Sequence, residues 1–115
     1  MALQRWITEM GMGVDVHGLD YTKAARRAVS DALRHSSLHF FSVTDRTRDD
    51  MHVEVRIGVA EPNEVDIDEV AAEVPYGTVT VTVQRGGLDV ESPTKTGDSI
   101  VMANAAILVS LDDGK

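Results

Sequence analysis

The sequence predicts an α+β fold: a four-stranded mixed sheet with two helices on one face, in the order strand, helix, strand, helix, strand, strand. Three observations carry that expectation. HVEVRIGVA and TVTVTVQRGG alternate apolar and polar residues with the period of a strand. Two other segments open on a capping acid and then space apolar residues three and four apart. The last apolar run, IVMANAAILVSL, is hydrophobic on both of its sides, as a strand buried on both faces is.

Residues 2–10 suit a first strand, with Leu3, Trp6 and Ile7 its apolar contribution and Trp6 a core or interface residue. MGMGVDVHGLD follows and reads as a glycine-rich turn. Gly11, Gly13 and Gly18 there permit positive φ or the close approach of a ligand to the backbone. Asp20 is a good N-cap for the first helix, whose apolar stripe is Ala25, Ala28, Val29, Ala32 and Leu33. Its other face is basic, with Lys23, Arg26, Arg27 and Arg34. HSSLHFFSVTDRTRDD, which holds His39, Arg46 and Arg48, reads as a polar loop around a short element.

In HVEVRIGVA the residues Val53, Val55, Ile57 and Val59 form the buried side. Asp66 with Glu69 makes a capping box for the second helix. Ile67, Val70, Ala71 and Val74 are its stripe, and Pro75 with Gly77 ends it. TVTVTVQRGG turns at Gly86 and Gly87, and ESPTKTGDS leads into the last strand at residues 100–111. Two helices cover only one face of such a sheet. The two-sided apolar last strand therefore calls for a second cover, most simply another copy of the chain, and a homo-oligomer is expected.

A length of 115 residues fits one domain, 1–115. The chain has no cysteine, which removes disulfides, thiolate catalysis and thiolate metal sites together. It shows neither a signal peptide nor an apolar run approaching the roughly 18 residues of a membrane span, so a cytoplasmic protein with no membrane partner is expected. The net charge of −8 falls entirely in residues 61–115, which hold three bases and eleven acids. A chain without a concentrated positive face is a poor partner for nucleic acid.

The chemistry concentrates in the glycine-rich stretch. A dinucleotide fingerprint also begins Gly-x-Gly after a strand, but the third glycine it needs is replaced by Val16. Asp15 and His17, two residues apart, share a side if the segment is extended. Such a pair suits acid–base work, or two ligands of a divalent metal. The structural alternative has His17 capping a turn while Asp15 accepts from backbone amides. Loop amides and the helix start near Tyr21 favour an anionic ligand group, which Lys23 or Arg27 would complete. Asn104, alone in an apolar strand, needs a hydrogen-bond partner in a neighbouring loop or in a ligand.

GMGVDVHG resembles the hallmark of a small uncharacterised conserved-hypothetical family of bacteria and plants, Gly-x-Gly-x-Asp-x-His-Gly. Gly11, Gly13, Asp15, His17 and Gly18 fill its fixed positions; the resemblance covers nearly the whole chain and implies no known activity. The same segment is similar to the opening of the methylerythritol cyclodiphosphate synthases, trimeric enzymes whose Asp and His bind zinc. That likeness implies Asp15 and His17 as metal ligands and a trimer as the first guess, but Arg27 stands where the third ligand would be, and a cation there repels a metal. A weaker likeness of architecture is to single domains of the cyanuric acid hydrolase and barbiturase group, which use Ser–Lys pairs; Lys23 and Lys95 have no serine paired with them by sequence.

Two functions are expected from different classes. The first is an enzyme or binding protein for a small polar or anionic metabolite. His17 would be the acid–base group and Asp15 its orienting partner, with Gly11, Gly13, Gly18, Lys23, Arg27 and Asn104 binding the ligand. The second is a non-catalytic assembly or regulatory subunit in which the same charges form intersubunit ion pairs. Substrate, reaction and cofactor are not named by the sequence.

Overall fold

The computed structural model describes residues 3–35, 51–91, 93 and 99–112, with 3–7 and 112 described by backbone alone. Strand β1 (Leu3–Asp15) leads into helix α1 (Tyr21–Arg34). Strand β2 (His52–Val59) is followed by a 3₁₀ turn at Pro62–Glu64 and by helix α2 (Ile67–Ala71). Strands β3 (Thr78–Arg85), β4 (Leu88–Glu91) and β5 (Ser99–Asp112) come after it. The sheet order is β1-β5-β2-β3, with β4 pairing β5 beyond the end of β2. β2 and β3 are parallel, as a crossover through α2 requires, and the other pairs are antiparallel.

The mixed α+β class stands, but the sheet has five strands rather than four. The added strand is LDVE, whose four residues are too few to show an alternation against the turn glycines before them. The larger correction concerns β1. It runs on through Gly11 and Gly13 to Asp15, so the expected turn is strand. Those two glycines serve packing. A Cβ on Gly13 would stand 2.3 Å from both Ala24 O and Ala28 N, and one on Gly11 2.5 Å from Ala32 N and 2.6 Å from Ala28 O. Helix α1 thus lies directly on the β1 backbone, its alanines against the glycines. The chain reverses only afterwards, at Gly18 (φ 89°) and Leu19 (φ 52°).

The core lies between the sheet and the helices. Ala24, Ala25, Ala28, Val29 and Ala32 of α1 are fully buried, and so are Val55 and Val59 of β2 and Val101 and Ala103 of β5. Helix α1 is capped as expected, the Asp20 side chain accepting from Lys23 N–H at 2.9 Å. Asp66 caps α2 by accepting from the amides of Asp68 and Glu69. That helix is only five residues long; Val70 and Val74 enter the core while Ile67 of the expected stripe is exposed. The Thr22 hydroxyl ties the two helical segments together, donating to Glu64 O and accepting from Asp66 N–H.

β1 is an edge strand, and α1 occupies part of its outer edge. Met12 N–H donates to Asp31 at 3.0 Å, and Arg27 Nη1 donates to Val14 O at 2.6 Å. Two backbone groups that could pair with another strand are thereby used. The register of β1 against β5 slips between Arg5 and Ile7, at Trp6. The Trp6 side chain, His39, Arg46, Arg48 and Lys95 lie outside the described residues. Among the described residues, no helix is long and apolar enough to cross a membrane.

Candidate functional site

The end of β1 and the start of α1 meet at Asp15. Gly11, Gly13 and Asp15 share the helix-facing side of β1, opposite Ala105, Ala103 and Val101 of β5. Asp15 is 3% exposed, and among the described residues it is the one buried polar side chain. Its Oδ2 accepts from Asp20 N–H at 3.1 Å, which closes the loop against the strand end. Its Oδ1 stands 3.6 Å from Lys23 Nζ and 3.8 Å from Arg27 Nη1, cations that are half exposed. The two basic residues are four apart, so one face of α1 brings both over the same carboxylate.

His17 lies in the loop beyond the strand and is exposed. The strand ends at Asp15, which is buried, whereas His17 two residues on is exposed. Gly18 is the one glycine of the motif at a positive φ, and a Cβ there would meet nothing within 4 Å. Gly11 and Gly13 lie under α1 rather than along the loop. Asn104 is remote from this corner: its Oδ1 accepts from Gly87 N–H at 3.1 Å, in the turn between β3 and β4. Among the described residues, no three His, Asp or Glu side chains gather as metal ligands.

A groove of about 330 Å³ opens beside the corner, lined by Lys23, Arg26, Arg27, Ser30 and Glu73. Arg26 is engaged there by Glu73 at 2.7 Å, and that carboxylate raises its pKa further. Lys23 and Arg27 stand from Asp15 at ion-pair distance rather than at hydrogen-bond distance. Arg27 Nη1 is given to Val14 O, so the donors that line the groove are Lys23 Nζ and the other nitrogens of the Arg27 guanidinium.

Sequence reasoning missed a second polar contact at the same helix start. Tyr21, the first residue of α1, is 7% exposed and its hydroxyl donates to Asp89 Oδ2 on β4. The partners are 68 residues apart, and no local pattern signals them. Asp89 and Asp15 both lie opposite Val101, so two carboxylates flank the start of α1 across β5. The hydrogen bond to Asp89, with burial and the negative charges of Asp89, Glu61 and Glu64, pushes the Tyr21 pKa up to about 12.

Below about pH 10 folded and unfolded chains both keep that proton. Between about 10 and 12 the unfolded chain loses it and the folded chain does not, so stability falls as pH rises through this window. Circular dichroism followed against pH should show unfolding beginning there, with a shallower slope in Tyr21→Phe. An unchanged slope in that variant would remove the assignment.

Comparison with known proteins agrees with the fold. A family model described as conserved hypothetical protein (Lin0512_fam) matches residues 5–109. No curated protein matches the chain. A crystal structure described as an FtsZ-like protein of unknown function, from Nostoc punctiforme PCC 73102, is 38% identical with a TM-score of 0.86. The match covers 98% of this chain and 99% of that chain.

Proposed function

This chain belongs to the Lin0512 family of conserved hypothetical proteins, and from its Asp15 corner we propose that it binds a small anionic metabolite in the cytoplasm. The carboxylate or phosphate of that ligand lies in the groove on the first turns of α1, held by Lys23 and Arg27. The observation that supports this is a buried carboxylate facing two half-exposed cations. Asp15 lies behind the two cations, while their outer sides face the groove. An arginine offers two-point contact to a carboxylate or phosphate, and a lysine adds a point charge.

His17, exposed on the adjoining loop, is the group of the corner suited to proton transfer, and any acid–base step on the bound anion falls to it. The reading needs no metal. Lys23 and Arg27 supply the positive charge, and next to Asp15 they would oppose a divalent ion.

Calorimetric titration with inorganic phosphate and with succinate tests the proposal. Each charge-assisted contact contributes roughly 1.5–3 kcal/mol, so Lys23→Ala and Arg27→Ala should each weaken binding roughly tenfold to a hundredfold. His17→Ala should leave the affinity within a few-fold. Equal affinity in wild type and both cation variants would overturn the site.

A further inference from the structure

We propose that the sheet face turned away from the helices is a docking surface for a second copy of this chain. The inference is independent of the anion site, which lies on the other side of the sheet. Sheets with one open face normally set polar residues there. Here the open face carries Met10, Met12, Leu88, Val90 and Ile100, which are 67, 51, 57, 50 and 42% exposed. The register places them together. Met10 and Met12 lie opposite Ala106 and Asn104 on one side of β5, and Leu88 and Val90 lie opposite Met102 and Ile100 on its other side. Scattered apolar side chains are ordinary on a surface, but a contiguous group across three adjacent strands marks an interaction surface.

Charge selects the occupant. Among the residues whose side chains are described, the full charges on this face are Glu54 and Arg56, paired with each other at 2.7 Å. The chain as a whole carries −8. Copies meeting through a face of no net charge keep their acidic surfaces apart. The arrangement is also that of an interface, with an apolar centre on β1, β5 and β4 and a polar margin on β2 and β3.

Area is sufficient. Four strands about 4.8 Å apart, each contributing roughly eight residues of about 3.3 Å, give a flat footprint of about 500 Å². Side-chain relief brings the accessible area toward the roughly 800 Å² per partner that specific complexes bury. Methionines suit such a contact because their flexible side chains fill an irregular partner surface.

Sedimentation equilibrium across micromolar concentrations is the test. The wild type should show a mass of at least twice the 12.5 kDa of one chain. Met10→Glu combined with Leu88→Glu changes exposed side chains and should keep the circular dichroism of the wild type. It should weaken association roughly a hundredfold or more through like-charge contact across the interface, while phosphate binding at Lys23 and Arg27 persists. A wild type that sediments at 12.5 kDa throughout overturns the proposal. So does a double variant that keeps the wild-type mass, since the interface then lies elsewhere. A monomer that floats with phosphatidylcholine vesicles would assign the face to lipid instead.

Discussion

Gly13→Ala should lower the melting temperature by more than about 12 °C, or prevent folding altogether. The added methyl would sit 2.3 Å from Ala24 O and from Ala28 N, and 2.6 Å from the Arg27 Cβ. The first two contacts are helix backbone, which cannot turn aside as a side-chain tip can. Relief therefore requires α1 to lift from β1, opening the contact between Ala24, Ala28 and the strand. Overpacking costs about 1–3 kcal/mol and more where the neighbours are rigid, so about 3 kcal/mol is expected here. Each kcal/mol lowers the melting temperature of a domain this size by roughly 4–8 °C. Gly18→Ala is the informative contrast. Its methyl would meet nothing within 4 Å, and the change is opposed only by a φ of 89°, which costs roughly 1–2 kcal/mol. Melting curves showing Gly18→Ala as the more damaging change would mean that the glycines serve the loop and not the helix contact.

That contrast shows what the sequence could and could not convey. Alternation identified β2, because Val53, Val55, Ile57 and Val59 each fall on the face that the helices cover. The Asp20 cap and the alanine stripe identified α1 for the same local reason. β1 was misjudged because glycine is ambiguous: it permits a turn, and it also permits a helix to lie on a strand. The resolving signal was the spacing. Gly11, Gly13 and Asp15 recur at the strand period, while Ala24, Ala28 and Ala32 recur at the helix period, and the two small-residue rows face each other.

At the candidate site, Lys23 and Arg27 were each legible as a basic residue of the first helix that could complete the site, and both stand within 4 Å of the Asp15 carboxylate. His17 was expected beside Asp15 if the segment is extended; Asp15 is buried at the strand end, and His17 is exposed in the loop after it. Contacts distant in sequence left no trace in local pattern. Tyr21 with Asp89, and Asn104 with the amide of Gly87, depend on the strand order, which neither segment specifies alone.

Asp15→Ala and Asp15→Asn should separate the two tasks of the buried carboxylate. The alanine variant strips the Asp20 amide of its acceptor, and an orphaned buried donor costs about 1–3 kcal/mol. It also removes the counter-charge of Lys23 and Arg27, but both are half exposed and rehydrate, so that contribution is small. A loss of about 2 kcal/mol follows, read from the shift of a urea midpoint at constant slope. Asparagine keeps an acceptor for Asp20 N–H while discarding the charge, and should recover more than half of that loss.

Its effect on the anion site has the opposite sign. An anion held outside Lys23 and Arg27 lies about 7 Å from the Asp15 carboxylate, and at the dielectric of water the repulsion is about 0.6 kcal/mol. Asp15→Asn should therefore bind inorganic phosphate about threefold more tightly than the wild type. A fall in affinity of tenfold would instead show that the two cations need the full charge of Asp15 to hold their positions. Asp15 would then be a positioning residue of the site and not a competitor for its cations. Either sign requires that phosphate binds beside Lys23 and Arg27, so an affinity unmoved by every one of these variants would place the anion elsewhere on the protein.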